Sequence, residues 1–171
     1  MFRSYLEIFK TLLIPNEIHH EVEQIDEGTL YNKGFRTIFL DIDNTVMGYS
    51  EREISLKKAT WVKRVIASGF KVYIVSNNSG FRRINRVAKE LNITGTYFSM
   101  KPFSFSFRDL ANRYNIDFTK SITIGDQLFT DVIGGNWCKT YTILVDPLDK
   151  KLSFIKTLQR ELELYLIKKF K

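Results

Sequence analysis

A chain of 171 residues, 44% of them hydrophobic, is large enough to bury one core, which excludes a disordered polymer. A formal charge of +7 favours anionic partners, and charge by itself does not separate phosphorylated metabolites from lipid head groups or nucleic acid. The single cysteine, Cys138, excludes an internal disulfide, and no apolar run reaches the ~18 residues that a membrane span needs.

Phe2, Tyr5, Leu6, Phe9, Leu12 and Leu13 recur at helical spacing, and Pro15 closes this first amphipathic helix. Glu7 and Lys10 interrupt its apolar stretch and no A-x-A site follows, so the expectation is a cytoplasmic protein without a secretory leader. Residues 16–34 are acidic and read as an irregular lead-in. Phe35–Asp41 is a short apolar run of the kind that forms a buried strand. Ser55 caps a helix with Leu56, Ala59, Val62 and Ile66 on one face, and Gly69 stops it.

Lys71–Val75 is the second strand, Phe81–Leu91 the next helix, and Thr96–Ser99 a short third strand. A helix over Phe105–Tyr114 leads to a fourth strand, Ser121–Ile124. A short helix over Leu128–Ile133, ending at Gly134–Gly135, precedes the fifth strand, Tyr141–Val145. The tail from Lys150 to Lys171 is a last helix with Leu152, Ile155, Leu158, Leu162 and Tyr165 along one stripe. Repeated βα units of this length predict a Rossmann-like three-layer α/β sandwich around a five-stranded parallel sheet. The expected organisation is one domain over 1–171, with a core of about 35–146 and helical arms of about 2–14 and 150–171.

In open α/β sheets, ligands bind beyond the carboxyl ends of the strands, and here those positions are polar. The first strand ends in Asp41-Ile42-Asp43-Asn44-Thr45, the second in Ser76-Asn77-Asn78, the third leads to Lys101-Pro102, and the fourth ends in Gly125-Asp126-Gln127, with Asp131 further on. A single Asp after a strand is commonly only a cap. Four acids gathered at one end of a sheet repel one another unless a cation and an anionic ligand sit among them.

With these four motifs in this order, the chain resembles the haloacid dehalogenase (HAD) superfamily: DxDxT at Asp41–Thr45, Ser76, Lys101, and GDxxxxD with Asp126 and Asp131. DIDNT, SNN, KP and GDQLFTD together resemble its YqeG-like class IIIA branch, related to phosphatidylglycerophosphate phosphatases. The resemblance implies a magnesium-dependent phosphomonoesterase in which Asp41 becomes an aspartyl phosphate. It makes Asp43 the acid that protonates the leaving oxygen and the base that later activates water. Ser76, the amide of Asn77 and the ammonium of Lys101 are expected to bind the phosphoryl oxygens. The Asp41 carboxylate, the Asp43 carbonyl and the Asp126 carboxylate are expected to hold Mg2+, with Asp131 steadying waters or Lys101 behind them.

The intervals from Asp43 to Ser76 and from Ser76 to Lys101 hold only one helix and one strand each, so no large cap domain is expected. An open site of this kind points to a bulky substrate, with phosphatidylglycerophosphate the one the resemblance suggests. From Ile54 to Lys89 there are nine Lys or Arg and no acid, either a solvated surface or a patch that faces an anion. The terminal helices are expected to pack on the core, the alternative being peripheral contact with an anionic inner membrane surface. No motif supports nucleic acid as a partner. The competing reading is a non-catalytic phosphate- or partner-binding module on the same fold, against which both Asp41 and Asp43 count. A receiver domain is a third reading, but its phosphorylated Asp follows the third strand, not the first.

Overall fold

The computed structural model describes residues 10–78, 80–96, 99–149 and 154–170, with side chains from 157 onward in the last stretch. Its six strands are β1 (Glu17–His19), β2 (Thr37–Leu40), β3 (Lys71–Val75), β4 (Thr94–Thr96), β5 (Ser121–Gly125) and β6 (Tyr141–Val145). They form one sheet in the order β1-β6-β5-β2-β3-β4, and every pair is parallel. The helices are α1 (Glu27–Asn32), α2 (Leu56–Ala67), α3 (Phe81–Leu91), α4 (Phe105–Tyr114), α5 (Ile133–Trp137) and α6 (Phe154–Phe170).

The strand order puts a topological switch at the centre of the sheet. From β2 the chain builds outward through β3 and β4, then returns to place β5 on the other side of β2 and β6 beyond it. Helices that follow strands in opposite directions diverge, so a crevice opens beyond the carboxyl ends of β2 and β5. Asp41 and Asp126 are the first residues past those ends.

Alternation along the strands covers both faces. Ile38, Leu40, Val72, Ile74, Ile122 and Ile124 face one way, against Val62 and Val65 of α2 and Ile84 and Val87 of α3. Phe39, Tyr73 and Val75 face the other way, against Phe107 and Leu110 of α4. There the Phe39 and Phe107 rings meet edge to face with centroids 5.2 Å apart. Leu144 points to the same side and packs with Val132 and Ile167 of α6. Cys138 is buried in the second cluster, and burial pushes its thiol up to about 11, which makes it a packing residue.

The sheet has six strands where the sequence pattern predicts five. The extra one, β1, lies in the stretch 16–34, which also contains a 3-10 turn at Val22–Gln24 and α1. A three-residue edge strand with one apolar side chain carries no periodic signal. Tertiary bonds make it instead: Asn16 Oδ1 accepts from Thr142 N at 2.8 Å, and Glu17, Ile18 and His19 pair with Ile143, Leu144 and Val145. The third predicted strand begins slightly earlier, with Thr94–Thr96 paired in the sheet, and residues 97 and 98 of the expected run lie outside the described residues. No cap is inserted between β2 and β3 or between β3 and β5 among the described residues.

Two further expectations change at the C-terminal side. Gly134–Gly135 does not end a helix; a π turn over Leu128–Val132 runs into α5, which passes through both glycines. In α6, Leu158, Leu162 and Tyr165 are exposed, whereas Glu163 and Ile167 are buried, so that stripe faces away from the sheet. Position 152 of the stripe, the side chain at position 155, and residues 1–9 of the N-terminal helix lie outside the described residues; residues 10–13 are helical.

The acid-free run from Ile54 to Lys89 is neutralised in part by the acidic lead-in. Lys57 pairs with Glu21, Lys58 with Glu23 and Arg64 with Glu27, so α2 is strapped to the segment that precedes β2. The buried Lys58–Glu23 pair is the one that matters for packing, because exposed pairs contribute little.

The two glycines of α5 supply a stability test. A Cβ at Gly135 would meet Thr142 Cγ2 at 2.6 Å and Thr123 Cβ at 2.9 Å. Helix propensity favours Ala over Gly by about 1 kcal/mol, but overpacking against two strands costs about 1–3 kcal/mol. Gly135→Ala is expected to lower the urea midpoint; an unchanged or higher midpoint would show that the helix can lift from the sheet at no cost.

Candidate active site

The chain turns sharply after β2. Asp41 N donates to Ile124 O at 2.9 Å, which prolongs the β2–β5 ladder by one residue. Asn44 then takes a left-handed conformation, φ 67°, and its N donates to Met47 O at 2.7 Å. Asn is among the few residues that adopt this conformation readily. Thr45 returns toward the strand end, its Oγ1 lying 3.2 Å from Asp41 Oδ2 and 3.3 Å from Asp126 Oδ1.

Lys101 reaches the same point from the loop before α4. Its Nζ donates to Asp41 Oδ1 at 2.6 Å and to Asp131 Oδ1 at 2.5 Å, with all three side chains buried. Asn77 fixes the lysine backbone from both sides: its Oδ1 accepts from Lys101 N at 2.7 Å and its Nδ2 donates to Lys101 O at 3.0 Å. Ser76 directly follows β3, its Oγ accepting from Asn78 N at 3.1 Å.

Asp131 is held by the turn that follows β5. Its Oδ2 accepts from Gln127 N at 3.1 Å, and the carboxyl group folds back over Gly125, where an added Cβ would stand 2.2 Å from Asp131 Cγ. The glycine of GDxxxxD is therefore a steric necessity here, because any side chain would displace the acid that holds Lys101.

Asp41, Asp126 and Asp131 each offer an oxygen within 4.8 Å of the others. Burial pushes Asp41 up to about 7; Lys101 opposes the shift, and Asp131 and Asp43 add to it. Burial also raises Asp126 well above the usual carboxylate range, with Asp41 and Asp131 reinforcing the effect. Burial works against the Lys101 ammonium too, but Asp131 and Asp41 outweigh it and raise its pKa. One ammonium is thus shared by Asp41 and Asp131, while Asp126 accepts from Asn44 Nδ2 at 3.4 Å and Thr45 Oγ1 at 3.3 Å. An all-oxygen set with an excess of negative charge fits a hard divalent cation.

Asp43 is handled separately. It points into the crevice from the other side, where its Oδ1 accepts from Arg83 Nε at 2.8 Å and its Oδ2 from Asn78 Nδ2 at 2.6 Å. The crevice is about 260 Å³, lined by Asp41, Asp43, Ser76, Asn77 and Lys101 together with Tyr49, Asn78, Gln127 and Thr130. All the residues singled out in the sequence therefore meet at one place, with Asp126 and Asp131 behind Asp41. Arg83 and Asn78 complete it. Arg83 lay concealed in a run of basic residues, and only its position one helical turn after SNN distinguished it.

A cation that binds the folded site and not the unfolded chain must stabilise the protein. At a concentration about 100 times Kd the gain is about 2.7 kcal/mol, or roughly 5–10 °C for a chain of this size. Thermal unfolding with and without magnesium chloride should show this rise, and Asp126→Asn should remove most of it. A midpoint indifferent to millimolar magnesium would count against a cation site.

Comparison with known proteins bears on both sequence and fold. Residues 99–147 match the Hydrolase_like family of HAD-hydrolase-like proteins. The chain is 30% identical over 156 residues to the "Probable phosphatase YqeG" of Bacillus subtilis (strain 168), covering 91% of this chain and 90% of that one. It is 24% identical over 170 residues to the chloroplastic/mitochondrial phosphatidylglycerophosphate phosphatase 1 of Arabidopsis thaliana, spanning 94% of this chain but 49% of that protein. A cobalt-bound deoxy-D-mannose-octulosonate 8-phosphate phosphatase from Haemophilus influenzae shares the fold, with a TM-score of 0.54 over 80% of this chain and 89% of that one at 11% identity. The near-complete overlap with the Bacillus protein, at a level of identity that establishes common descent, makes this chain a phosphatase of the HAD superfamily, in its YqeG-like branch.

Proposed function

We propose that the protein hydrolyses phosphomonoesters with Mg2+ and an aspartyl phosphate on Asp41, and that its substrate is a large or lipid phosphate such as phosphatidylglycerophosphate. The observation that carries the chemistry is the buried Lys101 held between Asp41 and Asp131 at the mouth of a sheet crevice. It fixes one Asp41 oxygen and leaves the carboxylate aimed at the space that Ser76 and Asn77 line.

In this reading an Asp41 oxygen attacks phosphorus, the bond to the leaving oxygen breaks, and Asp43 gives that oxygen a proton. Asp43 then takes a proton from water, the water oxygen attacks phosphorus, and the bond to Asp41 breaks, which restores the Asp41 carboxylate and the protonated Asp43 and releases phosphate. The Ser76 hydroxyl, the Asn77 amide and the Lys101 ammonium bind the phosphoryl oxygens as charge builds on them. A magnesium ion held by the Asp41 and Asp126 carboxylates and the Asp43 carbonyl supplies charge neutralisation, so that a phosphate dianion can approach the acids. Asp131 acts through Lys101.

The two acids separate by role. Asp41→Asn should abolish turnover and any acid-stable incorporation of phosphate. Asp43→Asn should retain attack on a substrate with a good leaving group, such as p-nitrophenyl phosphate, while losing about 10²–10⁴-fold on alkyl phosphates. Mass spectrometry of Asp43→Asn after exposure to substrate should locate phosphate on Asp41; phosphate on another residue would show a different nucleophile.

The substrate reading rests on the rim. Phe103 and Phe105, just beyond Lys101, are 65% and 68% exposed, whereas Phe107 is buried in the core. Met100 beside them is exposed as well, and among the described residues no inserted cap covers this apolar edge. Exposed apolar residues around a polar crevice suit a head group that lies in a surface of acyl chains. The exposed Leu158, Leu162 and Tyr165 of α6, near Lys168 and Lys169, provide a second apolar and basic surface for peripheral contact with an anionic membrane. No described helix is long and apolar enough to cross a membrane.

The protein should co-sediment with anionic vesicles more than with neutral ones, and less as salt rises. Phe103→Ser/Phe105→Ser should weaken this by roughly 10-fold or more, in line with apolar surface lost from lipid. Indifference to anionic vesicles at low salt, with faster hydrolysis of a small soluble phosphoester than of the lipid phosphate, would end the lipid reading and leave the phosphatase intact.

A further inference from the structure

The contacts of Arg83 are unlike those of the other basic residues in its run. Lys57, Lys58 and Arg64 pair with acids of the lead-in, away from the crevice. Arg83 instead crosses from the first turn of α3 to the loop after β2 and contacts three acceptors there. Its Nε donates to Asp43 Oδ1 at 2.8 Å, its Nη2 to Gly48 O at 2.6 Å, and its Nη1 to Glu51 O. The ion pair is largely buried, with side-chain exposures of 21% for Arg83 and 11% for Asp43.

A planar guanidinium whose three nitrogens all have partners has one allowed orientation, and a lysine ammonium cannot reproduce it. Asn78 completes the arrangement. Its Nδ2 donates to the other Asp43 oxygen, while its Oδ1 accepts from Gly80 N at 2.6 Å at the start of α3. Both Asp43 oxygens are thus tied to the β3–α3 segment, although Asp43 belongs to the loop after β2. Between Gly48 and Glu51 the same loop is also held by Tyr49 N donating to Asp149 Oδ2 and Gly48 N to Glu51 Oε2, each at 2.7 Å, and by Glu51 N donating to Gly48 O at 3.1 Å.

We propose that Arg83 is a positioning residue for Asp43, fixing the direction of its carboxylate and locking the 48–51 loop against α3. The inference rests on the reading of Asp43 as the acid and base of the reaction. A carboxylate that must reach the leaving oxygen and then a water has to be held within a fraction of an ångström, and groups that do this act through geometry. Arg83 is the only described residue that joins Asp43 to both the loop and the helix.

The experiment compares kcat and KM of the wild type, Arg83→Ala and Arg83→Lys on p-nitrophenyl phosphate and on glycerol 3-phosphate, an alkyl phosphate with a poor leaving group. Thermal unfolding midpoints are measured alongside. Arg83→Ala is expected to lower kcat on the alkyl phosphate by about 10- to 100-fold, to lower it less on p-nitrophenyl phosphate, and to leave KM within about threefold. Arg83→Lys is expected to behave like Arg83→Ala. In an Asp43→Asn background, Arg83→Ala should add little, because the group it positions is already gone.

A rise in KM on both substrates with kcat unchanged would make Arg83 a substrate-binding residue and overturn the proposal. An equal loss on both substrates that tracks a lower unfolding midpoint would reduce it to a structural one. Additive losses in the double variant would also overturn it. If Asp43→Asn alone leaves both substrates unaffected, the premise about Asp43 fails first; if Asp43→Asn impairs the alkyl phosphate and Arg83→Ala does not, only the role given to Arg83 fails.

Discussion

A lysine buried between two aspartates sets the terms for the active end of this sheet. Removing an ammonium and two carboxylates from water costs several kcal/mol for each ion, and the cost is met only where hydrogen bonds are short and geometry is fixed. Lys101 satisfies that condition with bonds of 2.6 Å to Asp41 and 2.5 Å to Asp131. The surrounding sequence can be understood as what this contact requires. Gly125 has no side chain because Asp131 occupies that space, Asn77 holds the lysine backbone on both sides, and Gln127 N steadies the far oxygen of Asp131.

The arrangement leaves a charge imbalance among the buried acids. One ammonium cannot neutralise Asp41, Asp126 and Asp131, and burial raises both Asp41 and Asp126 in response. A cation on one side and a phosphoryl group on the other would offset that excess of negative charge. Asp43 has a counter-charge of its own in Arg83, apart from the shared ammonium. Two carboxylates two residues apart thereby live in different surroundings, one fixed by a buried ammonium and one by a half-buried guanidinium.

The legible part of the molecule was the part governed by short-range pattern. Strands β2, β3, β5 and β6 are apolar runs ended by polar clusters, and a ligand crevice at strand ends follows from that alone, so the DIDNT, SNN, KP and GDQLFTD residues fall where the sequence placed them. What was illegible depends on contacts across the fold. Strand β1 exists because Asn16 and Thr142 bond across 126 residues, and three residues with one isoleucine give no sign of it. Gly134–Gly135 reads as a helix stop, yet it permits close passage of α5 over Thr123 and Thr142. Arg83 reads as one more surface cation, since nothing local shows that its partner lies 40 positions earlier.

Helix α6 shows why apolar periodicity alone misjudged which side faces in. Its sheet-facing side is partly polar: Glu163 Oε1 accepts from Leu128 N at 3.1 Å, and Arg160 donates to Asp126 O at 3.2 Å and to Asp146 Oδ1 at 2.9 Å. These bonds satisfy backbone groups at the start of the π turn, which would otherwise be buried without partners. Because that turn carries Asp131 and begins beside Asp126, the tail helix is coupled to the acid cluster through hydrogen bonds as well as through the packing of Ile167 on Val132 and Leu128. A stripe of leucines could therefore be left on the outer side without loss to the core. The same polar inner face that anchors the helix over the acids leaves Leu158, Leu162 and Tyr165 exposed on its outer side.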